Sequence, residues 1–266
     1  MLKTKISAFN VNSVRARLEL LDAWFAHRNH DVNILCMQEL KTEASHFPYD
    51  FFFAEGFTCH LNAQKRYNGV SVCTKIPPEE IFTHFPSDIL NVEKRLIYAR
   101  YSSFHLINVY APHGDLRGTE KFEFKLAWYD AFIDWLKQNF NFKTDKIILT
   151  GDFNITYDAL DVYDAGLLAD TVGTMPEERE KLHKLIALGF VDAWRYKNPG
   201  KPQFTWWDYK GGKIWKNQGM RIDFMLLTEP VLPHLVDIEV DMWARRKNKI
   251  KPSDHAPLVA TFKNLF

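Results

Sequence analysis

Apolar runs of strand length recur along this chain, and several of them stop abruptly at polar residues. The clearest run covers residues 147–150 and ends at Gly151, Asp152, Phe153 and Asn154. Gly151 permits a tight turn, and Asp152 and Asn154 point to the same side if the extended backbone continues. In isolation this pattern favours a turn or helix cap at Asp152 over a functional site. Other segments decide between these two interpretations.

The same pattern, a predicted strand with polar residues at its end, occurs in several other segments. Predicted strands cover residues 5–11, 32–37, 70–74, 94–101, 104–110, 220–227 and 258–262, and predicted helices cover residues 14–25, 120–139 and 174–188. Besides Asp152 and Asn154, the polar residues at these strand ends are Asn10, Asn12, Gln38, Glu39, Tyr110, Asp223, Asp254 and His255. Each one alone is as well explained by capping or by solvent exposure. Together they are typical of an active site on the edge of a β-sheet.

Local signals refine two further segments. Thr174 and Glu177 form a capping-box pattern around Pro176, which predicts a helix start there, and Gly189 predicts the end of that helix. Residues 45–62 are rich in aromatic residues and also contain proline and glycine. This composition predicts a helix-poor stretch that packs on the core.

Size and charge limit the classes of protein to which the chain can belong. At 266 residues and 46% hydrophobic content it can bury a large core, and we expect one domain. The net charge of +1 gives no bulk signature of nucleic-acid binding, so an anionic partner has to meet a local patch. Residues 65–69 and 203–216 combine basic and aromatic residues. Each segment is interpreted either as a nucleic-acid surface or as ordinary structure, a solvated turn and a buried aromatic strand edge respectively.

The cysteines and the N-terminus bear on the cellular compartment. Cys36, Cys59 and Cys73 are an odd and unpatterned set in or near apolar runs. We interpret them as small buried hydrophobic residues in a reducing compartment, without a disulfide framework or a zinc spacing. The first residues lack the long apolar core of a signal peptide, and no apolar run is long enough for a membrane span. We therefore expect a cytoplasmic protein without a membrane segment.

One acid in an apolar run predicts a specific pairing. Asp223 lies inside the apolar segment 220–227, and a buried aspartate needs a cation or an imidazole nearby. His255 beside Asp254 is the best available imidazole, although this pair is also compatible with a surface turn. The sequence has no Ser or Cys nucleophile motif and no glycine-rich phosphate loop. Acids, amides and a supported histidine therefore favour metal-assisted hydrolysis of a phosphoester by water.

Eight motifs in a fixed order carry a resemblance to a known family. They are FNVNSVRAR, MQELKTE, YNGV, NVYAPHG, LTGDFNI, FTWWDY, MRIDFMLL and PSDHAPL, and they extend from Phe9 to Leu258. With this set the chain resembles the exonuclease III family of apurinic/apyrimidinic endonucleases, within the endonuclease/exonuclease/phosphatase superfamily. The resemblance implies an α/β fold with four layers, in which two mixed β-sheets pack face to face and helices cover their outer sides. It also implies one catalytic domain over residues 1–266.

The resemblance assigns roles to individual residues. Asp152 would orient and deprotonate the attacking water, with Asn154 beside it. His255, held by Asp223, would stabilise the scissile phosphate, which Tyr110 would also contact. The residues implied at the metal, Mg²⁺ or Mn²⁺ as its substitute, are Glu39 as the principal ligand and Asn10, Asn12 and Asp254 nearby. The residues implied in DNA binding are Tyr67, Asn68, Arg95, Trp206 and Met220.

The leading hypothesis is a Mg²⁺-dependent DNA-repair phosphodiesterase that acts as a monomer on double-stranded DNA. It would cut 5′ to abasic sites and act at 3′ ends as an exonuclease and 3′-phosphatase. Two other hypotheses stay open here: a phosphatase for a phosphoinositide or another small phosphoester, and a catalytically silent DNA-binding protein. The chain departs from the family pattern at Ser13, His113 and Phe224, where Gly, Asn or Gln, and His or Leu are usual. We expect these departures to affect substrate preference more than the reaction.

Overall fold

Two β-sheets form the centre of the molecule, whose computed structural model describes residues 3–246 and 249–266. The strands in this part of the chain are β1 (Lys3–Asn10), β2 (Ile34–Gln38), β3 (Thr58–Asn62), β4 (Val70–Thr74), β5 (Glu80–Phe82), β6 (Leu96–Arg100), β7 (His105–Tyr110), β8 (Ile147–Asp152), β9 (Phe190–Asp192), β10 (Asp223–Thr228), β11 (Leu235–Val240) and β12 (Leu258–Lys263). The α-helices are α1 (Leu18–His27), α2 (Tyr49–Ala54), α3 (Asp88–Asn91), α4 (Glu120–Asn139), α5 (Pro176–Ile186), α6 (Ala193–Lys197) and α7 (Met242–Arg246).

The strands are arranged as two mixed sheets. Among the described residues, the first sheet has the order β11-β12-β1-β2-β4-β3 and the second has the order β5-β6-β7-β8-β10-β9. In each sheet the two central strands, β1 with β2 and β7 with β8, run parallel. Their outer neighbours pair antiparallel. A parallel pair needs cover on both faces, and the centre of each sheet is where such cover is available.

Apolar side chains fill three layers around these sheets. Alternate residues along each strand point to opposite faces, so Ile34 and Ile148 pack between the two sheets. Their neighbours Leu35 and Leu149 point outward, towards clusters that contain residues of α1 and α4 respectively. The result is a stack of helices, sheet, sheet and helices. This arrangement confirms the four-layer α/β fold that the resemblance implied.

The polar strand ends predicted from the sequence meet at one edge of the sheets. Tyr110 at the end of β7 is the register partner of Asp152 at the end of β8. Asp152 is also the register partner of Asp223, with which β10 begins. In the first sheet, Asn10 at the end of β1 pairs with Gln38 at the end of β2. Parallel neighbours end at the same edge of a sheet and an antiparallel neighbour begins there, so the topology itself assembles the site.

Several predicted elements are confirmed. The helix at residues 120–139 and the strand at residues 70–74 have the predicted bounds, and the strands predicted at residues 94–101 and 104–110 pair as β6 and β7. The loop at residues 65–69 joins the antiparallel strands β3 and β4. The elements that the sequence did not predict are β3, β5, β9, β11, α2, α3, α6 and α7. They are all short, and tertiary packing stabilises elements of this length more than local pattern does.

Residues 45–62, predicted to be poor in helix and to pack on the core, contain one short helix that the sequence did not predict. Helix α2 lies in this stretch and is preceded by Pro48. Its residue Phe52 is fully buried, and the ring stacks on Phe47 with the ring centroids 5.1 Å apart. A helix of one and a half turns therefore forms because it buries one aromatic residue, which composition alone does not show.

The predicted start of α5 was also wrong by one position. The N–H of Met175, not of Thr174, bonds the side chain of Glu178 at 3.2 Å, and the helix begins at Pro176. The Thr174 hydroxyl instead donates to the carbonyl of Thr171 at 2.9 Å. Glu177 and Glu178 are adjacent, so the sequence does not show which of them forms the capping box. The buried ion pair of Glu178 with Lys125, described below, decides in favour of Glu178.

The interpretation of the cysteines needs a correction. Cys59 and Cys73 are register partners on β3 and β4 and form a disulfide bond, whereas Cys36 is a buried free thiol. Sequence spacing does not show that two strands will place two cysteines opposite each other. The cysteine-based argument for a reducing compartment therefore loses its basis. Among the helices of the described residues, none has both the length and the apolar character needed to cross a membrane.

Gly151 in β8 allows the close approach of β7. Its φ is +135°, and a Cβ atom at this position would lie 2.0 Å from the carbonyl oxygen of Val109, its register partner. Real Cβ atoms do not come this close to backbone atoms. Because the contact is with backbone, no side chain can move aside, and the glycine is required by the pairing of β7 with β8.

Replacing Gly151 should therefore destabilise the protein severely. We expect Gly151→Ala to lower the free energy of unfolding by more than ~3 kcal/mol, since the two central strands must separate to admit the methyl group. Gly118→Ala is the matched control, because Gly118 also has a positive φ, +81°, but no atom lies within 4 Å of the place that an alanine methyl group would take. It should lose only the ~1–2 kcal/mol of a left-handed alanine. Urea denaturation of both variants measures the difference, and equal losses would contradict the steric argument.

Candidate active site

Two buried carboxylates and one imidazole form the floor of the site. Asp152 and Asp223 are register partners on neighbouring strands and are almost completely buried. His255 lies beside both of them, with Nδ1 2.9 Å from Oδ2 of Asp223 and Nε2 3.7 Å from Oδ2 of Asp152. Burying two like charges side by side is costly unless a positive charge compensates them. The pairing of Asp223 with His255 that the sequence predicted is present in the structure.

The pKa values of this group follow from burial and from mutual charge. Burial lowers the pKa of His255, but the charge and hydrogen bond of Asp223, together with the nearby Asp152 and Asp254, outweigh it and raise that pKa to about 10. Burial, together with the charge of Asp223, raises the pKa of Asp152 to about 7, against the opposing effect of His255. At neutral pH His255 is therefore an imidazolium. The pKa of Asp152 is then close to neutral pH, and a general base is most effective when its pKa lies near the pH of the reaction.

The amide of Asn10 joins the two sheets at this edge. Its Nδ2 donates to Oε1 of Glu39 and to Oδ2 of Asp152, both at 2.8 Å. Its Oδ1 accepts a hydrogen bond from the backbone N–H of Asn12 at 3.0 Å. A single fully buried amide therefore fixes the distance between a carboxylate of the first sheet and one of the second.

Glu39 lies just beyond the end of β2, at the mouth of the site. Its φ of +54° belongs to a tight turn, and its side chain is 16% exposed. The ammonium of Lys41 lies 2.7 Å from Oε2 of Glu39 and 2.7 Å from Oδ1 of Asn12. Two acceptor oxygens from different loops therefore hold the positive charge of Lys41 at the mouth of the site.

Asp254 forms the opposite side of the mouth. One carboxylate oxygen accepts from Nδ2 of Asn12 at 2.9 Å, and the other accepts from Nε1 of Trp206 at 3.0 Å. Burial raises the pKa of Asp254, but the charge of His255 and these two hydrogen bonds outweigh it and lower that pKa. The indole of Trp206 is thereby fixed in orientation as one wall of the cleft.

Tyr110 supplies a neutral phenol to the site. Burial and the adjacent carboxylates of Glu39 and Asp152 raise its pKa well above the ordinary value, so the hydroxyl keeps its proton. Behind the ring, the Arg95 guanidinium lies 4.8 Å from the ring centroid, and Nη1 donates to the carbonyl of Tyr110 at 3.2 Å. Arg95 is 8% exposed, so in this structure it contacts Tyr110 from behind rather than the solvent.

A buried ion pair that the sequence analysis missed supports Asn154 from below. The side chains of Lys125 and Glu178 are fully buried and lie 2.6 Å apart. Lys125 Nζ also donates to the carbonyls of Asn154 and His113, at 2.8 and 3.0 Å, and Glu178 accepts the N–H of Gly173 at 2.7 Å. The signal was present in the sequence, because residue 125 lies three positions after Phe122 on the apolar stripe of α4. A lysine inside such a stripe needs a buried partner.

These residues surround an open cleft of about 240 Å³. Of the predicted site residues, those that line it are Glu39, Tyr110, Asp152, Asn154, Trp206, Met220, Asp254 and His255. The lining residues that the sequence analysis did not assign are His113, Val172, Gly173 and Ile222. Tyr67 is 67% exposed on the loop between β3 and β4, and its neighbour Asn68 is buried. The cleft has a polar half around the carboxylates and an apolar half around Trp206, Met220 and Ile222.

Two of the three residues that depart from the family pattern, Ser13 and Phe224, are accommodated by the fold. Ser13 adopts a φ of +85°, and its N–H donates to the carbonyl of Glu39 at 2.8 Å. The turn therefore has the left-handed conformation that glycine adopts readily, at a cost of ~1–2 kcal/mol for a residue with a side chain. Phe224 is fully buried against Phe153, with ring centroids 5.5 Å apart, directly beneath the strand end that carries Asp152.

The donor set of the cleft fits a hard divalent cation. Glu39, Asp152 and His255 offer atoms that lie within 4.8 Å of one another. His255 Nδ1 lies 2.9 Å from Asp223, and the oxygen ligands of the group are the carboxylates of Glu39 and Asp152. Carboxylate oxygens suit Mg²⁺, Mn²⁺ or Ca²⁺. The position of the Lys41 ammonium, held by oxygens of Glu39 and Asn12, shows that the mouth of the cleft favours positive charge.

Buried acids beside a supported histidine at one sheet edge suit the hydrolysis of a phosphoester by water. The chain belongs to the Endonuclease/Exonuclease/phosphatase family, whose model matches residues 7–255. This family is metal-dependent. The family resemblance drawn from the motifs is thus confirmed.

Relatives with known names narrow the class. The chain is 32% identical to the Exodeoxyribonuclease III of Haemophilus influenzae, over 97% of this chain and 100% of that protein. An AP endonuclease from Archaeoglobus fulgidus has a similar structure, with a TM-score of 0.91, 34% identity, and coverage of 98% of this chain and 99% of the other. A 3′ phosphatase from Neisseria, solved with a product DNA hairpin, matches with a TM-score of 0.91, 31% identity, and coverage of 98% and 99%. The family and these relatives indicate a nuclease of the hydrolase class.

The charge of His255 should couple the stability of the metal-free protein to pH. A group whose pKa is higher in the folded protein than in the unfolded chain stabilises the fold below the unfolded value, and this contribution is lost as pH rises through the folded value. For His255 these values are 6.5 and about 10. We expect the free energy of unfolding in EDTA, measured by urea denaturation, to fall by at least ~2 kcal/mol between pH 7 and pH 10.

Two substitutions isolate this effect. His255→Gln should remove most of the fall, because the group that releases the proton is gone. His30→Gln is the matched control, since the side chain of His30 is 53% exposed and lies at the surface near Glu55. An unchanged fall in His255→Gln would show that another group carries the pH dependence.

Proposed function

We propose that this chain is a Mg²⁺-dependent DNA-repair phosphodiesterase that hydrolyses the phosphodiester bond 5′ to an abasic site and also trims 3′ ends of duplex DNA. The observation that carries the proposal is the placement of Asp152 between a buried imidazolium and an open cleft with a second carboxylate at its mouth. This group provides a base, a positive charge for a phosphate oxygen and a metal ligand within one site. The names of the relatives, an exodeoxyribonuclease III, an AP endonuclease and a 3′ phosphatase, support the same reaction class.

In the proposed reaction the residues of this chain activate water and stabilise charge. Asp152 accepts a proton from the water, whose oxygen forms a bond to phosphorus while the bond from phosphorus to the 3′ oxygen breaks. The 3′ oxygen leaves with the electron pair of that bond and takes a proton from solvent to become the 3′ hydroxyl group. Asn154 holds Asp152, since its backbone N–H donates to Oδ1 of Asp152 at 2.9 Å. The His255 imidazolium and the Tyr110 hydroxyl donate to the phosphate oxygens as negative charge develops there. A Mg²⁺ ion bound at Glu39 would supply Lewis-acid stabilisation of the same phosphate.

The apolar half of the cleft is the proposed place of the sugar. Trp206, Met220 and Ile222 form this wall, and a deoxyribose without a base presents mainly apolar ring surface. Tyr67 and Asn68 are proposed to contact the DNA backbone beside the cleft, whereas Arg95 is proposed to act through Tyr110. We further propose that residues 1–266 act as one domain and as a monomer. The cytoplasmic location stays a prediction.

The substrate is tested with a 5′-labelled duplex that contains one tetrahydrofuran abasic analogue. We expect the wild-type protein with Mg²⁺ to cut it on the 5′ side of the analogue, and to release phosphate from a 3′-phosphate duplex. Asp152→Asn should lower turnover at least ~100-fold, because the general base is lost, while DNA binding remains. Gel quantification gives turnover, and fluorescence anisotropy gives the dissociation constant.

One control variant accompanies this test, and three outcomes would contradict the proposed function or the role of Asp152. Asp134→Asn, at an acid whose side chain is 64% exposed, should leave both quantities unchanged. Ordinary turnover in Asp152→Asn would remove this residue from the mechanism. Hydrolysis of a small soluble phosphoester without competition from duplex DNA would favour the phosphatase hypothesis. Absence of any hydrolysis would favour a silent DNA-binding protein.

The metal is tested through Glu39. EDTA should abolish turnover, and Glu39→Gln should raise the Mg²⁺ concentration needed for half-maximal turnover at least ~10-fold, since one anionic ligand becomes neutral. The same variant should show a smaller rise of melting temperature on addition of Mn²⁺, which is a readout independent of activity. Glu43→Gln is the control, because the side chain of Glu43 is 42% exposed and outside the cleft. Full activity in excess EDTA would contradict the metal assignment.

A further inference from the structure

The loop at residues 208–219 begins and ends at the catalytic cleft. Trp206 just before the loop and Met220 just after it form a β-bridge, and both side chains line the cleft. The two ends of the loop are thereby held together. The loop therefore leaves the cleft wall at Trp206 and returns to it at Met220.

This loop is anchored to the core on one side. Ile214 is buried in a cluster with Phe204 and Trp207. At Gly219 a Cβ atom would lie 2.5 Å from Nε1 of Trp207, so the loop passes tightly over this indole. Packing of this kind fixes the position of the loop relative to the cleft.

On its other side the loop displays a tryptophan to solvent. Trp215 is 65% exposed, although its neighbour Ile214 is buried. Its N–H donates to the carbonyl of Gly212 at 3.0 Å, and Gly211 and Gly212 have φ values of +69° and +63°. Glycines are favoured at such angles, so the backbone of this turn is shaped to hold residue 215 outward. Tryptophan has a large rigid apolar surface, so an exposed tryptophan is suited to contact with a partner.

The charge around Trp215 indicates the kind of partner. The loop contains Lys210, Lys213 and Lys216, and Asp208 is its one acid. Asp208 lies 3.9 Å from Lys213, which leaves the other two lysines without a counter-charge from within the loop. Apart from Tyr209 and Trp215, the exposed side chains of the loop are polar or cationic, which differs from the apolar core of a protein interface. An aromatic ring among lysines fits nucleobases flanked by phosphates.

We propose that Trp215 stacks on a nucleobase of the DNA whose phosphodiester lies in the cleft, while Lys210 and Lys216 contact the flanking phosphates. The inference rests on the proposed function and adds a base-contacting residue to it. An abasic site leaves the opposite base without a partner, and duplex ends fray, so both substrate types offer a base that a rim-mounted ring can reach. The contact does not depend on the identity of the base, because every base has a flat face for stacking.

Binding to a tetrahydrofuran duplex, measured by fluorescence anisotropy in the non-cleaving Asp152→Asn background, tests the ring. Trp215→Ala should raise the dissociation constant roughly 10-fold, as expected when one base no longer stacks on an aromatic ring, and Trp215→Phe should restore most of the affinity. Phe53→Ala is the matched control, since Phe53 is 79% exposed on α2 and outside the cleft. Equal dissociation constants for Trp215→Ala and the parent would overturn the proposal.

Two readouts separate stacking from charge. A 2-aminopurine placed in turn at each base near the abasic analogue should be quenched at one position, and Trp215→Ala should remove that quenching. The double variant Lys210→Ala, Lys216→Ala should reduce the slope of binding against salt by about 0.9 for each phosphate that is no longer neutralised. A weaker affinity with unchanged quenching would show a merely structural role and would overturn the stacking.

The outcome is distinguishable from a failure of the proposed function. If wild-type protein cuts the abasic duplex normally and Trp215→Ala binds as tightly as its parent, only the role of Trp215 fails. If the wild-type protein neither binds nor cuts duplex DNA, the proposed function fails, and the inference fails with it. Tight binding of an unrelated protein ligand to wild type and not to Trp215→Ala, without any DNA effect, would assign the ring to a protein interface and overturn the stacking.

Discussion

The site depends on one buried interaction, the contact of the His255 imidazolium with Asp223 and Asp152. The register of β8 and β10 forces these two carboxylates to be neighbours, and their burial makes the pair costly without compensation. The imidazolium offsets this cost for both. Its removal would leave two adjacent buried anions, and either their protonation or a local rearrangement would follow. The positive charge of His255 thus has two roles. It compensates the two buried carboxylates, and it faces the cleft.

A second buried ion pair, Lys125 with Glu178, holds the loops of the cleft. Lys125 is a fully buried cation on a helix of the outer layer, yet its ammonium donates to the backbone carbonyls of His113 and Asn154, two residues of the cleft. Glu178 completes the pair from α5 and fixes Gly173, which also lines the cleft. A buried pair of this type contributes little net stability, because desolvation opposes the attraction, but breaking it is costly at ~3–5 kcal/mol. Its effect is therefore to restrict the loops to one arrangement.

The sequence predicted the site better than it predicted the elements around it. Polar residues at strand ends are a reliable signal, because side-chain direction alternates along a strand and the ends of parallel neighbours share an edge. Asp223 could be paired with His255 because a buried acid must have a partner. The assignment of distinct roles to Glu39 and Asp152 came only from the family resemblance, since spacing does not distinguish a metal ligand from a base.

The failures of prediction have a common physical origin in non-local contacts. Helix α2 forms because Phe52 finds a buried place, and the disulfide forms because β3 and β4 place Cys59 opposite Cys73. The local sequence pattern indicates neither of these contacts. Lys125 differs, because its position on an apolar stripe was visible, but the long side chain of a lysine usually extends from such a stripe to solvent. Buried charged residues are found from the partners they require, and the partner Glu178 lies 53 residues away.

The division of the cleft into two halves separates reaction from substrate choice. The side chains of the polar half are held by hydrogen bonds of 2.8 to 2.9 Å among carboxylates and amide groups, and one of these bonds, from Asn10 to Asp152, joins the two sheets. The apolar half is built from Trp206, Met220 and Ile222, and methionine adapts its shape more readily than other apolar residues. Under the proposed function, a change in the apolar half alters which sugar is accepted without disturbing the charges that act on the phosphate. His113 also lines the cleft, and its effect on substrate preference stays a prediction. Relatives that share the polar half are therefore expected to share the chemistry even where their preferred DNA substrates differ.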